Sequence, residues 1–256
     1  MKDILSPPHR AILEEFAWSN VLIAFDFDGT LAPIAPLPEQ ARIRDRTREL
    51  LTTLSTLFRV VVISGRAQRD ALRKLQGIPV AAVVGNHGVE RWHSASRLVS
   101  VVEGWLPVLR AATEGMSGVT VEDKIFSLAV HYRQSREKKR VRAAITRAVA
   151  GLGDVRTIAG KQVVNILPTD APHKGIALER ERDRFRCDTA IYVGDDEADE
   201  DVFALDQPGR LLTVRVGAKG SSAASYFVRR QTAVDSLMRV LVESRLRWAA
   251  QRRAAR

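Results

Sequence analysis

Five short apolar runs, each bounded by turn residues, constrain the fold of this chain most strongly. They are VLIAF (21–25), VVVI (60–63), VAAVV (80–84), AIYV (190–193) and LLTVRV (211–216). Continuous apolar runs of this length are typical of strands that are buried on both faces. The segments between them show helical periodicity, as in 46–57 and 67–75. Because strands and helices alternate, we predict an α/β fold with a Rossmann-like parallel sheet and right-handed crossovers.

A different pattern interrupts this alternation between residues 102 and 168. The predicted elements there are a helix at 102–115, β runs at 119–123 and 125–133, a helix at 135–149, and β runs at 154–158 and 162–167. Alternation in the second β run places four side chains on one face: Phe126, Leu128, Val130 and Tyr132. The order α-β-β-α-β-β predicts a small α+β unit inserted into a core formed by 1–101 and 169–256.

Composition limits where this chain of 256 residues functions. Its single cysteine, Cys187, excludes an intramolecular disulfide and a cysteine-based zinc cluster, which favours a reducing compartment. The first 18 residues lack the apolar core of a signal peptide, and no stretch approaches the roughly 18 apolar residues of a membrane span. We therefore expect a cytoplasmic monomer without a membrane partner.

The net charge of +10 raises the question of a nucleic-acid partner. More than half of this excess lies in residues 229–256, which contain eight basic and two acidic residues. No signature of a nucleic-acid-binding module accompanies the charge, and arginine-rich helix ends are common on protein surfaces. We expect a solvated helix end here, and we keep a basic nucleic-acid-binding protein as one of the alternatives.

The strand VLIAF runs directly into Asp26-Phe27-Asp28-Gly29-Thr30-Leu31. Ligands of open α/β sheets bind beyond the carboxyl ends of the strands, and these carboxylates lie at that position. Asp26 and Asp28 are two residues apart and leave the strand on the same side, while Gly29 permits a tight turn that exposes backbone N–H groups. An ordinary Asx or glycine turn is the alternative interpretation of this segment alone.

Three later segments add polar groups at the same edge of the predicted sheet. VVVI ends in Ser64-Gly65, a hydroxyl donor in a turn, and Lys174 lies at a predicted helix start, where a cation opposes the helix dipole unless an anion is near. AIYV ends in Gly194 and an acidic segment, 195–201, which gives six acids in eight residues of a basic chain. Such a density of carboxylates favours a hard cation with oxygen ligands.

In this order, DFDGT, Ser64, Lys174 and GDDEAD resemble the four motifs of the haloacid dehalogenase superfamily. Four further segments are similar to its trehalose-phosphatase family: GNHGVE (85–90), EDKIFSLAVHYR (122–133), GKQVVNILP (160–168) and GDDEADED (194–201). The resemblance covers nearly the whole chain. It implies a core with an inserted cap, dependence on Mg²⁺, and hydrolysis of trehalose 6-phosphate, a phosphorylated disaccharide, through an aspartyl-phosphate.

The resemblance also implies roles for single residues. Asp26 is the expected nucleophile, Asp28 the acid and base in acidic surroundings, and Lys174 a catalytic cation. The expected phosphate-binding residues are Thr30, Ser64 and Gly65. The expected metal-binding residues are Asp26, Asp28 through its carbonyl, and Asp195, with Asp196 and Asp199 as supporting groups or water-mediated ligands. The expected sugar-binding residues are Asn86, His87, Glu122, Lys124 and Asn165. We expect His131 and Arg133 to be structural.

The repulsion between a carboxylate and a phosphate explains why a cation is needed. A carboxylate 4 Å from one unit of negative charge is repelled by about 4 kcal/mol at an effective dielectric of 20, and a phosphate dianion roughly doubles this. Nucleophilic attack by Asp26 therefore requires a cation between the two groups. Such an attack splits one difficult hydrolysis into two displacements.

Asn165 departs from the pattern of the family, in which this position is usually a glutamate that helps to hold the distal glucose. Asparagine lacks the charge-assisted hydrogen bonds of a carboxylate, which are about twice as strong as neutral ones. A related phosphosugar such as glucosylglycerol phosphate is therefore an alternative substrate. A sugar phosphotransferase or mutase and a phosphoreceiver module are further alternatives, although the receiver would have no use for Asp28 and is about half this length.

Overall fold

The computed structural model describes residues 1–90, 95–160, 162–205 and 207–254. Lys161 of the GKQVVNILP motif and Arg256 of the basic tail lie outside the described residues. The strands are β1 (Lys2–Asp3), β2 (Val21–Phe25), β3 (Arg59–Ile63), β4 (Ala82–Val84), β5 (Thr120–Asp123), β6 (Leu128–His131), β7 (Val155–Gly160), β8 (Val163–Pro168), β9 (Thr189–Gly194), β10 (Leu211–Val216) and β11 (Tyr226–Val228). The helices are α1 (Pro7–Trp18), α2 (Asp45–Leu57), α3 (Gln68–Lys74), α4 (Ala95–Thr113), α5 (Lys138–Val149), α6 (Lys174–Arg184), α7 (Glu200–Phe203) and α8 (Ala233–Ala254).

Seven strands form one parallel sheet in the order β1-β11-β10-β9-β2-β3-β4. The central strand β2 is buried along its whole length, with Val21, Ile23 and Phe25 in the apolar cluster on one face and Leu22 and Ala24 in the cluster on the other. Helices α1, α2 and α8 contribute to the first cluster, and α6 and α7 to the second. The predicted α/β class with a parallel sheet is confirmed. The continuous apolar runs form strands of this sheet, where burial on both faces requires apolar side chains at successive positions.

A separate antiparallel sheet has the strand order β5-β6-β8-β7 and packs against α4 and α5. The order of its elements along the chain is the predicted α-β-β-α-β-β. Helix α4 begins at Ala95, before the predicted start at 102. The apolar side of the sheet, including Leu128, Val130 and Ile166, packs with Trp105 and Leu109 of this helix.

The prediction for Phe126 is wrong. Phe126 packs with the junction cluster that contains Val89, Leu98 and Leu167, and not with Leu128 and its neighbours. The reason is a tight turn at Ile125, which has a φ of 73° and lets the Phe126 N–H donate to the Lys124 carbonyl at 2.9 Å. This turn interrupts the alternation before β6 begins.

Helix α8 contains most of the basic tail and packs on the core. Val234, Leu237, Met238 and Leu241 are buried. Arg247 forms an ion pair with Glu14 of α1, and the Arg245 guanidinium lies 4.4 Å from the centre of the Phe58 ring. Two arginines of the basic tail thus contact the core through this helix. Within the described ranges, no helix combines the length and apolar character needed to cross a membrane.

Candidate active site

The carboxyl ends of three neighbouring strands place the predicted residues side by side. Asp26 follows β2, Ser64 follows β3 and Asp195 follows β9, and these strands are adjacent in the sheet order β9-β2-β3. All three residues are buried. The strands are parallel, so their carboxyl ends meet at one edge and the loops that leave them form one site.

Asp26 lies at the centre of this edge. Its backbone N–H donates to the Val193 carbonyl at 2.9 Å, and the residue is only 3% exposed. Burial raises the pKa of the Asp26 carboxyl well above its usual value; the Lys174 ammonium opposes this shift, and the nearby carboxylates, beginning with Asp199, add to it. A buried carboxylate in such surroundings is stabilised by any additional cation.

Lys174 is the first residue of α6, and its side chain is buried beside two carboxylates. Its Nζ donates to Asp26 Oδ1 at 2.8 Å and to Asp199 Oδ1 at 2.7 Å. Burial lowers the pKa of Lys174, but the charges of Asp199 and Asp26 outweigh this and raise that pKa well above its usual value. The cation at a helix start thus has the anions that the sequence argument required.

Gly29 brings the loop after β2 into direct contact with the acidic loop. Its φ is 84°, and a Cβ at this position would lie 2.2 Å from Asp195 Oδ2. Any side chain would therefore collide with the Asp195 carboxylate. The glycine is required both for the left-handed backbone and for this close approach.

Within the described residues, Asp26, Asp195 and Asp199 form a group that could hold a metal ion. Each offers a carboxylate oxygen, these oxygens lie within 4.8 Å of one another, and all three residues are buried. Hard divalent cations such as Mg²⁺ prefer oxygen donors of this kind. The donor set therefore fits the cation that the resemblance implies.

Asp199 has a second role that the sequence did not reveal. Its Oδ1 accepts hydrogen bonds from Lys174 and from the Tyr192 hydroxyl at 2.7 Å, and its Oδ2 accepts from the backbone N–H groups of Asp195 and Asp196. With four donors around it, the carboxylate fixes the acidic loop and Lys174. A metal contact through Asp199 would be made in addition to these four hydrogen bonds.

Asp196 and the carboxylate of Asp28 do not belong to the metal-capable group of the described residues. Asp196 Oδ1 accepts from the backbone N–H of Ala198 at 2.9 Å. Burial, followed by the charge of Asp199, raises the pKa of Asp196 to about 7. The expected metal contacts of these two residues, indirect for Asp196 and through the main-chain carbonyl for Asp28, stay predictions.

The surroundings of Asp28 differ from the acidic ones we expected. Arg66 donates from Nε to Asp28 Oδ2 at 2.6 Å and from Nη2 to Oδ1 at 2.7 Å. Nη1 of the same guanidinium binds Asp70, and Nη2 also binds the Pro38 carbonyl. Asp28 is thus held by a cation. This cation is the arginine two residues after Ser64, in the loop that follows β3.

The three expected phosphate-binding residues lie in two loops: Thr30 in the loop after β2, and Ser64 and Gly65 in the loop after β3. The Ser64 hydroxyl oxygen accepts from the Arg66 N–H at 3.2 Å, and the hydroxyl can still donate its own proton. Thr30 Oγ1 is buried and has no hydrogen-bond partner among the described residues. The Gly65 carbonyl accepts from Lys124, and the Gly65 N–H is the backbone group that could donate to a phosphate.

Lys124 joins the smaller sheet to the core. Its Nζ donates to the Gly65 carbonyl at 3.0 Å and to Asn165 Oδ1 at 3.2 Å, while its own carbonyl accepts from Asn86 Nδ2 at 3.0 Å. Lys124, Asn165 and Asn86 are all buried. The structure thus brings these three expected sugar-binding residues together.

His87 lies beside this junction in a left-handed conformation, with a φ of 57°. A Cβ on Gly65 would come within 2.7 Å of its Nε2, and neither ring nitrogen has a hydrogen-bond partner in the part of the chain that is described. Burial, and next the charges of Lys124 and Lys174, lower the pKa of His87 well below its usual value. These surroundings favour the neutral form of the imidazole.

Glu122 is more exposed than the other sugar-binding candidates. Its Oε2 lies 2.7 Å from His131 Nε2. Burial raises the pKa of Glu122, but the hydrogen bond from His131 and the charge of Lys124 outweigh this and lower that pKa below its usual value. His131, expected to be structural, holds Glu122, and Arg133 donates to the Ala35 carbonyl of the core.

Arg66, Tyr192 and Arg215 support the site and were not predicted. Arg66 holds Asp28, Tyr192 holds Asp199, and Arg215 donates to the carbonyls of Asp195 and Asp196. Arg66 directly follows the predicted Ser64-Gly65, so its place in that loop was a signal. Tyr192 and Arg215 lie inside apolar strands, where a single polar atom carries no signal of its own.

Comparison with known proteins identifies the family. The trehalose-phosphatase family model matches residues 24–231. A trehalose-phosphate phosphatase of Mycobacterium marinum is 31% identical over 79% of this chain and 56% of its own length. A probable trehalose-phosphate phosphatase D of Arabidopsis thaliana is 26% identical over 93% of this chain and 72% of its own length. This chain thus spans between about half and three quarters of these relatives.

A solved structure shows the same fold. The C-terminal domain of the trehalose-6-phosphate phosphatase of Candida albicans superposes with a TM-score of 0.77 and 23% identity, over 91% of this chain and 96% of that one. The match to the family model confirms the resemblance carried by the strand-end motifs. The match of the family model over most of the sequence shows that this chain is an enzyme of the trehalose-phosphatase family.

Proposed function

We propose that this chain hydrolyses trehalose 6-phosphate to trehalose and phosphate, with Asp26 as nucleophile. The observation that carries the proposal is the buried pair of Asp26 and Lys174 at the carboxyl edge of the sheet, joined at 2.8 Å. The family match over residues 24–231 and the names of the relatives support the substrate.

A divalent cation such as Mg²⁺, when bound by Asp26, Asp195 and the carbonyl of Asp28, would offset the repulsion between the nucleophile and the phosphate dianion. Asp199 and Asp196 would support it indirectly. Two of the three proposed ligands, Asp26 and Asp195, are in the group of buried oxygen donors. The proposal of Mg²⁺ rests on this fit between oxygen donors and a hard cation.

Asp26 attacks phosphorus through Oδ2, since Lys174 binds Oδ1. Lys174 orients the carboxylate and supplies positive charge near the phosphoryl oxygens. Ser64, the unpartnered Thr30 hydroxyl and the backbone N–H groups after Asp26 donate hydrogen bonds to those oxygens. The bond from phosphorus to the sugar oxygen breaks, and an aspartyl-phosphate remains on Asp26.

Asp28 acts as the acid and the base of the two steps. In its protonated form it gives a proton to the departing sugar oxygen and becomes a carboxylate. The carboxylate later takes a proton from the water that attacks phosphorus, the bond between phosphorus and the Asp26 oxygen breaks, and phosphate leaves. Both oxygens of Asp28 are bound by Arg66 in the structure, so one of them must leave the guanidinium to reach the sugar oxygen. Arg66 thus determines the position of the Asp28 carboxylate before the proton transfer.

The segment 102–168 acts as the cap, in our proposal, and the rest of the chain as the core. Lys124 and Asn165 enter the junction between the two sheets, where Lys124 already contacts the core at Gly65. These residues, with Asn86, His87 and Glu122, would bind sugar hydroxyls. A cap over the site excludes water, which strengthens every electrostatic contact inside it.

The alternative substrate, glucosylglycerol phosphate, is favoured by one observation. Asn165 is neutral, and its Oδ1 is already used by Lys124. It therefore offers a distal sugar fewer hydrogen bonds than a carboxylate would. Binding of the second sugar ring would then contribute less to the selection of substrate.

Phosphate release from a panel of sugar phosphates tests the proposal. The panel contains trehalose 6-phosphate, glucosylglycerol phosphate and glucose 6-phosphate, each with Mg²⁺ or with EDTA, and Asp26→Asn serves as the inactive control. We expect release from trehalose 6-phosphate that requires Mg²⁺ and is lost in the variant. Activity on the other sugar phosphates alone would contradict the substrate, and transfer of the phosphoryl group to a second sugar without free phosphate would identify a phosphotransferase.

A further inference from the structure

Arg215 holds the acidic loop from the side of the neighbouring strand. It lies on β10 and is only 6% exposed. Its Nη2 donates to the Asp195 carbonyl at 2.5 Å, and its Nη1 donates to the Asp196 carbonyl at 3.1 Å. One guanidinium thus binds two successive backbone carbonyls of the loop that carries the cation-binding carboxylates.

The peptide group between Asp195 and Asp196 is fixed at both ends. Its carbonyl accepts from Arg215, and its N–H donates to Asp199 Oδ2 at 2.9 Å. A peptide plane held on both sides cannot rotate, and its orientation sets the direction in which the Asp195 side chain leaves the backbone. That direction brings the carboxylate against Gly29, next to Asp26.

Glu200 anchors Arg215 in turn. Its Oε1 accepts from Arg215 Nη1 at 2.7 Å, and its Oε2 accepts from the backbone N–H of Ala223 at 2.9 Å. The guanidinium is planar and its donors have fixed directions, so it can bind both carbonyls and the carboxylate at once. A lysine would keep the charge but could not reproduce this fork.

We propose that Arg215 is a positioning residue that sets the affinity of the site for divalent cations, by fixing the Asp195–Asp196 peptide group. The inference rests on the proposed function in one respect, the role of Asp195 as a ligand. Residues that orient metal ligands typically change metal affinity by about 10-fold to 100-fold when they are replaced. The effect runs against simple electrostatics, because removing a positive charge near the site would by itself strengthen cation binding.

Titration with Mn²⁺, followed by its paramagnetic resonance signal or by calorimetry, tests this at fixed pH and ionic strength. We expect Arg215→Met to weaken Mn²⁺ binding by about 10-fold or more and Arg215→Lys to weaken it less. Arg210→Met is the matched control, since Arg210 is exposed directly before β10. Circular dichroism shows which variants are folded.

A second pair of variants keeps Arg215 in place, in case its replacements do not fold. Glu200→Gln removes the carboxylate partner of Arg215, whereas Glu197→Gln removes the same charge from an exposed position of the same loop. We expect Glu200→Gln to weaken Mn²⁺ binding more than Glu197→Gln does. Equal effects of this pair, or folded Arg215 variants that bind Mn²⁺ as tightly as the native chain, would overturn the inference. A native chain that binds no Mn²⁺ would instead overturn the cation site of the proposed function.

Discussion

Arg66 binds the carboxylate of Asp28 through two nitrogens, with Nε at 2.6 Å from Oδ2 and Nη2 at 2.7 Å from Oδ1. The arginine side chain is 9% exposed and is itself held by Asp70 and the Pro38 carbonyl. Bidentate pairs of this kind fix geometry as well as charge. The position of the proposed acid and base thus depends on a residue in the loop after the neighbouring strand.

We expect Arg66→Lys to lower kcat for trehalose 6-phosphate by roughly 10-fold to 100-fold, because a lysine cannot hold both oxygens of Asp28 and a misplaced acid transfers its proton slowly. KM should change much less, because Arg66 contacts the expected sugar-binding residue Asn86 through its backbone carbonyl, which a lysine keeps. Steady-state kinetics measure both constants. Arg69→Lys, at an exposed position of α3, should leave them unchanged. A rise in KM alone would contradict this role.

We expect Lys174→Met to destabilise the metal-free protein by about 3–5 kcal/mol, because it leaves the buried Asp26 and Asp199 carboxylates without their cation. Urea unfolding measures this loss. Added Mg²⁺ should recover part of it by supplying positive charge to the same carboxylates. Lys219→Met removes an exposed lysine and should be neutral. Equal unfolding midpoints of the two variants would show that the pair contributes no stability.

We expect Asn165→Glu to shift substrate preference toward trehalose 6-phosphate and away from glucosylglycerol phosphate. A carboxylate at this buried position would form charge-assisted hydrogen bonds with Lys124 and with sugar hydroxyls. The ratio of kcat/KM for the two substrates is the measurement. Thr157→Glu adds the same charge at an exposed position of β7 and serves as the control. An unchanged ratio would remove Asn165 as a determinant of specificity.

We expect His87 to make stability depend on pH below about 6.5. The pKa of the buried imidazole lies well below that of an unfolded histidine, so the unfolded chain takes up a proton first and stability falls as the pH drops. The slope contributed by one such group is at most about 1.4 kcal/mol per pH unit. Unfolding of His87→Asn, which tolerates the left-handed backbone, should depend less on pH between 6.5 and 5. Parallel curves for the two proteins would contradict the prediction.

Features that repeat along the sequence were predictable. The continuous apolar runs fixed the parallel sheet, and the polar residues at their ends placed Asp26, Ser64 and Asp195 at one edge. Contacts that depend on the packing of distant side chains were not. Nothing local to Asp28 indicates that Arg66 will bind it, in a chain with 40 lysines and arginines.

The turn at Ile125 shows a second limit. A β-branched residue at a φ of 73° is unfavourable by itself, so local propensity predicts a continuous strand. A local hydrogen bond from the Ile125 N–H to Asp123 Oδ1 stabilises this turn, together with the contacts of Lys124 with Gly65 and Asn86, which reach from the smaller sheet to the core. Tertiary contacts thus overrode the alternation that had placed Phe126 with Leu128.

Nucleophilic attack by Asp26 can be followed in an acid-quenched single turnover with trehalose 6-[³²P]phosphate and Mg²⁺. We expect a protein-bound label that is sensitive to hydroxylamine, appears before free phosphate, decays as phosphate is released, and is absent in Asp26→Asn. Release of phosphate by Asp26→Asn at the native rate, or turnover without any protein-bound label, would contradict it.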